Sequence, residues 1–157
     1  TTCGPGSFTG VRTGLAVAQG LRLALKIPVY IISSLEALLL STSFSPSLSE
    51  QRKIVLVIAP SHREWIYLQP FSFAGKSLAS PQLIRLQDIA HQKLLEDTYC
   101  VGMRTKSIEE LWYQYVPSTV PFIRSTFQAR FLLHYAQRLS LVAQDAPLEP
   151  IFVKKAS

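Results

Sequence analysis

Hydrophobic and polar positions between residues 10 and 26 follow the period of an amphipathic helix. At about 100° per residue, the polar side chains of this stretch fall on one narrow stripe: Arg12, Gln19, Arg22 and Lys26. The other positions are apolar or small, and the small ones form two rows at spacing four: Gly10, Gly14 and Ala18, then Ala16, Gly20 and Ala24. Small residues at that spacing let another backbone approach closely. The pattern predicts a helix covered on two or three sides, either by its own sheet alone or by another subunit as well.

A glycine-rich turn precedes this helix. Five of the seven glycines of the chain lie within residues 4–20, and Pro5 fixes its own φ angle. We expect a strand end, a tight turn and a helix start, with Ser7 or Thr9 accepting a hydrogen bond from the first free amides. Because glycines before a helix can also hold phosphate, an anion contact is the alternative role for four residues: Gly4, Gly6, Ser7 and Thr9. The turn lacks the spacing of a P-loop or a dinucleotide fingerprint, so helix capping is the favoured interpretation.

Apolar strands and amphipathic helices alternate along the rest of the chain. Strands are predicted at residues 27–32, 54–59, 64–71, 83–86 and 99–101. Helices are predicted at residues 33–40, 87–96, 107–115 and 125–143, and three of them begin with capping-box spacing: Ser33 with Glu36, Ser107 with Glu110, and Ser125 with Gln128. The Ser-rich residues 41–51 are interpreted as a loop or linker, and residues 148–153 as extended. This order of elements is typical of an α/β fold.

Composition and charge indicate the compartment and the kind of partner to expect for this protein. The chain has 157 residues, of which 48% are hydrophobic and 17% charged, so it is long enough to bury a core. It has no apolar run long enough to cross a bilayer, and its two cysteines, Cys3 and Cys100, lack metal-ligand spacing. We therefore expect a cytoplasmic protein without membrane contact. The net charge of +6 is compatible with an acidic partner such as RNA, but the basic residues are scattered, which is typical of a solvated surface.

The N-terminal motifs resemble those of a known family. The string GPGSFTGVRTGLAVAQG at residues 4–20, followed by a strand and then by SSLEAL at residues 33–38, resembles the signature of the TsaB (YeaZ) family. Members of that family are bacterial proteins needed to make threonylcarbamoyladenosine next to the anticodon of certain tRNAs. A weaker resemblance extends to the end of the chain, where residues 148–153, LEPIFV, are similar to the family's closing Glu-Pro-Val-Tyr-Leu.

The resemblance implies an α/β fold of the actin/hexokinase/Hsp70-like (ribonuclease H-like) type, with two lobes that each contain a mixed sheet and helices. In that fold the glycine turn follows the strands of the first lobe, so roughly the first third of a typical member is expected to precede Thr1. We therefore expect an incomplete first lobe. Residues 1–45 would form its C-terminal remainder, with the glycine turn, a helix, a strand and a helix, and residues 46–157 would form the second lobe.

The resemblance also allows a comparison with a catalytic relative of the family, TsaD. That enzyme carries a His-x-x-x-His pair that binds a metal at the start of the helix after the strand. Spacing of four places two imidazoles on one helical face, as a shared metal requires. The matching positions here are Ser34 and Leu38, and leucine cannot bind a metal. We therefore expect no catalytic residue, no metal and no cofactor.

Other positions near the expected inter-lobe cleft depart from the family pattern. Glu64 matches the acidic residue of the family's Glu-Val-Tyr strand, whereas Ala59 stands where many members have Asp and Arg63 where they often have Gly. These departures leave a function of the cleft open. The histidines lie far apart in sequence and have the spacing of neither a ligand set nor a triad, so they are interpreted as surface residues: His62, His91 and His134.

As a function, the resemblance implies a non-catalytic subunit of the tRNA threonylcarbamoyladenosine-modifying complex. It would pair with and support a TsaD-like transferase, be joined by a TsaE-like ATPase, and meet tRNA indirectly through the complex; a homodimer through the same helix is the alternative assembly. The predicted interface residues lie on the first helix: Gly10, Arg12, Gly14, Ala18, Leu21 and Leu25. Two other functions stay open, namely a nucleotide- or metal-binding enzyme of the same superfamily and a degenerate, truncated remnant without activity.

Overall fold

The structure is a computed structural model that describes residues 1–42, 53–91, 98–103, 105–133 and 149–153. Its elements in chain order are α1 (Phe8–Leu25), α2 (Ser34–Leu40), β1 (Ile54–Pro60), β2 (Trp65–Ser72), β3 (Gln82–Arg85), a 3-10 helix (Leu86–His91), β4 (Thr98–Met103), α3 (Lys106–Tyr115) and β5 (Phe122–Ser125). Residues 129–133 are also helical. Nearly all of the predicted loop at 41–51 and the later parts of the predicted helices at 87–96 and 125–143 lie outside the described residues. No helix among the described residues is both long and apolar enough to span a membrane.

Five strands form one mixed sheet in the order β3-β2-β1-β4-β5. β1 is antiparallel to β2, and β2 is antiparallel to β3. β4 is parallel to β1, and β5 is parallel to β4. β1 and β4 are almost wholly buried, because a central strand that is covered on both faces needs apolar side chains on both. The predicted hairpin and the predicted strands at 83–86 and 99–101 are therefore confirmed.

Alternate residues of the strands point to opposite faces of the sheet, and each face carries its own core. One core joins the sheet to α3 and the 3-10 helix: Leu56, Ile58, Ile66, Leu68, Ile84, Leu86, Ile89, Cys100, Ile108 and Trp112. On the other face, Leu35 and Leu38 of α2 pack against Val55, Val57 and Phe71. Full burial of each such leucine contributes about 1.5–3 kcal/mol, so α2 is anchored to this sheet. The predicted lobe boundary at residues 45–46 falls outside the described residues and stays a prediction.

Two predicted helix starts are wrong. The N-cap of α3 is Thr105 rather than Ser107: its Oγ1 accepts a hydrogen bond from the Ile108 amide at 3.4 Å, and its backbone is extended, as a cap requires. Ser125 does not begin a helix but ends β5, and its hydroxyl donates to the Leu38 carbonyl at 3.1 Å. Both serines have the sequence spacing of a capping box. The conformation of the backbone, however, determines which residue is the N-cap of a helix.

The predicted strand at residues 27–32 is much shorter than expected. It is reduced to one parallel bridge between Ile32 and Thr2. The Cys3 amide donates to the Ile32 carbonyl at 3.0 Å, and the Ile32 amide donates to the Thr1 carbonyl at 3.1 Å. Residues 1–3 and 30–32 therefore lie side by side and lead into the glycine turn and α2 respectively.

Candidate partner-binding surface

The glycine turn is held by backbone hydrogen bonds to two other segments. The Gly4 carbonyl accepts from the Ser34 amide at 2.7 Å, at the first residue of α2. The Cys3 carbonyl accepts from the Ile151 amide at 2.7 Å. Burial raises the pKa of the Cys3 thiol, whose Sγ donates to the Ile32 carbonyl at 3.3 Å. The turn is therefore a junction that joins α2 and the C-terminal segment to the start of α1.

Gly4 is the glycine that this junction requires. Its φ is +100°, in the region that favours glycine. A Cβ atom at this position would lie 2.9 Å from the Ile151 carbonyl oxygen. A Cβ at Gly6 would meet only the Val11 Cγ2 atom, at an ordinary 3.5 Å. The close approach of the C-terminal segment thus depends on Gly4 and not on Gly6.

Ser7 is the N-cap of α1, and it was one of the two residues predicted for this role, with Thr9 as the other. Its Oγ accepts from the Gly10 amide at 3.3 Å, and its carbonyl accepts from the Val11 amide at 2.9 Å. Thr9 lies within the first turn of the helix and is exposed. The hydroxyl of Ser7 is therefore occupied by capping, and the anion contact through Gly4, Gly6, Ser7 and Thr9 stays a prediction.

α1 turns much of its apolar surface away from the chain. Leu15 is the buried residue of the helix, and the half-buried positions beside it include Gln19 and Arg22 of the polar stripe. Large apolar side chains point outward, with exposed fractions between 50% and 68%: Val17, Leu21, Leu23 and Leu25. Within the described residues, the helix is therefore covered on one side, and its own sheet does not bury it. This outward orientation is the reverse of the usual surface helix, whose polar side faces water.

Five of the six predicted interface residues lie on one outward stripe of α1. At about 100° per residue, Gly10, Gly14, Ala18, Leu21 and Leu25 fall within a narrow sector, and all except the half-buried Ala18 are exposed. A Cβ at Gly14 would come no nearer than 4.0 Å to the Thr1 Oγ1 atom. Among the described residues, Thr1 therefore makes the one contact within 4 Å of this position on the stripe.

Arg12, the sixth predicted residue, lies on a different side of α1. Its guanidinium carbon is 3.9 Å from the centre of the Phe8 ring and 5.5 Å from the centre of the Phe152 ring. These two rings are themselves 5.5 Å apart, and each is more than half exposed. Stacking of this kind is worth about 0.5–1 kcal/mol at an exposed site. Arg12 therefore ties the start of α1 to the C-terminal segment and is separate from the Gly10–Leu25 stripe.

An apolar groove runs beside the second half of α1. It has a volume of about 480 Å³ and is lined by Thr1, Ala18, Leu21, residues 27–32, Ala129, Leu132 and Leu133. Ile27 and Leu133 are exposed along it. The outward stripe thus continues into a concave apolar surface.

A second cavity separates the glycine turn from the β1–β2 hairpin. This cleft has a volume of about 520 Å³ and is lined by residues 6–8, Pro60, Ser61, His62, Tyr67 and residues 151–153.

Ser34 and Leu38, which match the metal-binding histidines of TsaD, are both buried in α2. Among the described residues, no three His, Cys, Asp or Glu side chains cluster as metal ligands would.

The hairpin tip contains the departures that the sequence indicated. Ala59 is buried at the end of β1, and Glu64 is exposed. Arg63 has a φ of +52°, the left-handed conformation that costs a non-glycine residue about 1–2 kcal/mol. The arginine thus stands where the backbone itself favours glycine.

Comparisons with known proteins identify the family. The model of the TsaD family, described as tRNA N6-adenosine threonylcarbamoyltransferase, matches residues 1–149. The chain therefore belongs to this family and has its actin-like α/β fold, as predicted. Within the family it is a homologue of TsaB (YeaZ), in agreement with the resemblance of the glycine-turn motif.

Individual relatives support this placement. The chain is 54% identical over 35 residues to "tRNA threonylcarbamoyladenosine biosynthesis protein TsaB" of Buchnera aphidicola, a match that covers 22% of the chain and 17% of the relative. It is 57% identical over 35 residues to the Haemophilus influenzae protein of the same name, covering 22% and 15%. The structure of YeaZ from Pseudomonas aeruginosa superposes with a TM-score of 0.66 at 22% identity, over 97% of this chain and 72% of that one. These two sequence matches thus span less than a fifth of each TsaB relative.

Proposed function

We propose that this protein is a non-catalytic subunit of the tRNA threonylcarbamoyladenosine-modifying machinery and that it supports a TsaD-like transferase by pairing with it through α1. The names of its TsaB relatives support the pathway. The observation that carries the pairing is the outward apolar side of α1. In this proposal a TsaE-like ATPase joins the assembly in the cytoplasm, and tRNA meets the protein through the complex.

The geometry of α1 suits a helix of a partner. The glycines and Ala18 let a second backbone come close, while Leu21 and Leu25 supply apolar area at the end of the same stripe. Burial of a half-exposed leucine contributes about 1 kcal/mol, so Leu21 and Leu25 would each add to the binding free energy. A second copy of this chain could use the same stripe, so a homodimer is the competing assembly.

Co-purification with a TsaD-like transferase tests the pairing. Gly14→Leu and Ala18→Arg should each reduce the bound partner about tenfold or more, because one fills the close-approach space and the other places a charge in an apolar contact. The control is Ala74→Arg, which makes the same alanine-to-arginine change as Ala18→Arg but on the exposed turn between β2 and β3. Unchanged binding in both α1 variants would remove this helix from the interface. Light scattering of the chain alone distinguishes the homodimer.

A nucleotide-binding protein is the second candidate function. The cleft between the glycine turn and the hairpin favours it, because Ser61 and His62 line the same cavity of about 520 Å³ as the start of α1. Calorimetric titration with ATP and GTP tests this candidate. Saturable heat that Ser61→Ala and His62→Ala both reduce would support it, whereas a titration without heat would contradict it.

A further inference from the structure

The end of the β1–β2 hairpin carries an aromatic side chain surrounded by basic ones. His62, Arg63 and Arg85 are exposed, and Trp65 is half-buried among them. Trp65 begins β2, Arg85 ends β3, and His62 and Arg63 belong to the turn before β2. We name this group, His62, Arg63, Trp65 and Arg85, the hairpin site. It lies outside α1 and takes no part in the proposed pairing.

The sheet register brings Trp65 and Arg85 together. The two residues are directly opposite each other in the β2–β3 ladder, so their side chains lie on the same face. The guanidinium carbon of Arg85 is 5.7 Å from the centre of a Trp65 ring, within the range of a cation–π contact. Arg85 is therefore positioned by the fold beside an aromatic surface.

His62 adds a second flat ring to the site. Its imidazole is nearly parallel to the Trp65 ring, at 18°, with ring centres 6.2 Å apart. Its Nδ1 atom lies 3.2 Å from the Ser61 hydroxyl, which fixes the orientation of the imidazole. His62 also lines the cleft beside the glycine turn. The stacked pair thus stands at the edge of that cleft.

The site also has room and charge for an anionic ligand. A recess of about 400 Å³ is lined by Arg63, Glu64, Trp65 and Arg85. Two arginines and one glutamate line it, so the formal charge of the recess is positive. Arg63 extends from a left-handed position at the tip, where its side chain is exposed. Aromatic rings flanked by guanidinium groups are what proteins use to stack unpaired bases and hold the adjoining phosphates.

We propose that the hairpin site binds single-stranded RNA, with an unpaired base on the Trp65–His62 pair and the flanking phosphates at Arg63 and Arg85. The choice of RNA rests on the proposed role in tRNA modification; the base-stacking and phosphate chemistry rests on the site itself. The proposal adds a direct contact to a protein for which only an indirect one was expected. An acidic protein segment is the competing ligand for the same charges.

Fluorescence titration reports on this site directly. The chain has two tryptophans, and Trp112 is 1% exposed in the core, so quenching by added RNA reports on Trp65. The probe is an unstructured 12-nucleotide RNA, titrated into the chain without any partner. We expect quenching with saturation, and weaker binding to a duplex of the same length, because paired bases cannot stack on the site. Binding without quenching, or equal binding of the duplex, would overturn the proposal.

Matched variants separate stacking from general charge. Trp65→Leu and Arg85→Glu should each weaken RNA binding about fivefold or more, measured by anisotropy of labelled RNA. Lys76→Glu makes the same change of charge on the β2–β3 turn, at the other end of this hairpin, and should weaken binding less than about twofold. Trp65→Tyr, which keeps an aromatic ring, should retain most of the affinity. Base recognition would be refuted if Lys76→Glu lost as much RNA affinity as Arg85→Glu. It would also be refuted if polyglutamate, added at the same concentration of negative charge, displaced the RNA.

The same variants distinguish this proposal from the pairing through α1. Ala18→Arg should leave RNA binding unchanged, and Arg85→Glu should leave the transferase bound. RNA binding that disappears in Ala18→Arg, in a protein with an unchanged circular dichroism spectrum, would contradict a separate hairpin site. Loss of transferase binding alone would bear on the proposed pairing and not on this site.

Discussion

Replacement of Gly4 by alanine is the most direct test of the glycine turn as a packing junction. The substitution adds one methyl group to a residue whose φ is +100°. The new Cβ would lie 2.9 Å from the carbonyl oxygen of Ile151, closer than real Cβ atoms approach. Either the turn or the C-terminal segment must therefore move.

The size of the effect follows from two costs and one gain. A left-handed alanine costs about 1–2 kcal/mol, and displacement of Ile151 weakens its 2.7 Å hydrogen bond to Cys3, which is worth about 1 kcal/mol. The smaller entropy of an unfolded alanine returns about 0.5–1 kcal/mol. The expected net loss is about 2 kcal/mol, which lowers Tm by about 4–8 °C for a domain of this size.

Urea unfolding followed by circular dichroism measures this loss, with Gly6→Ala as the matched control. Gly6 lies in the same turn, has no positive φ, and offers a Cβ an ordinary 3.5 Å contact with Val11. We expect the control to change the free energy of unfolding by less than about 0.5 kcal/mol. If Gly4→Ala is as mild as Gly6→Ala, the contact with Ile151 does not hold the turn, and the argument is wrong.

Three further predictions concern the sheet and α3. Gly102→Ala would place a Cβ 2.5 Å from the Phe122 ring and should cost about 1–2 kcal/mol; Phe122→Leu should reduce that cost in a double-mutant cycle measured by urea unfolding. Thr105→Ala should cost about 1 kcal/mol in the same assay, because it removes the cap of α3, and Thr105→Asp should restore it. Burial raises the pKa of the Cys100 thiol, so Cys100 should react with a thiol reagent at pH 8 only after denaturation. As the pH rises, the Cys100 thiol ionises in the unfolded chain before it ionises in the folded one. The contribution of Cys100 to the free energy of unfolding is therefore complete below about pH 8.5 and decreases at higher pH. A difference in stability between wild type and Cys100→Ala that stays constant above about pH 8.5 would contradict this.

Local signals in the sequence predicted the elements that are defined by neighbouring residues. α1 follows from the helical period and the Ser7 cap, and the β1–β2 hairpin follows from two apolar runs around a short turn. β5 was not predicted, because its four residues, FIRS, have no alternating pattern and follow a proline. Its strand conformation depends on pairing with β4, which is a contact distant in sequence.

The candidate sites were predictable to different degrees. The glycine turn and the α1 stripe could be named from residue types and spacing. The orientation of α1 could not. The helix was expected to be covered on two or three sides, yet among the described residues its buried and half-buried positions lie on one side and include Gln19 and Arg22 of the polar stripe. The hairpin site was missed altogether, since Trp65 and Arg85 are 20 positions apart and meet only through the β2–β3 register. A tryptophan beside a turn rich in basic residues was the one local signal that could have drawn attention to it.

The small buried contact of α1 has a consequence for the dynamics of the chain. One buried leucine gives this 18-residue helix little protection from local opening, whereas most residues of α2, β1 and β4 are buried in the two cores. Amide protons of α1 should therefore exchange with solvent orders of magnitude faster than those of β1 and β4. A partner bound to the outward stripe would slow exchange in α1 alone, so the helix would act as the ordering element of the assembly while the sheet stays unchanged.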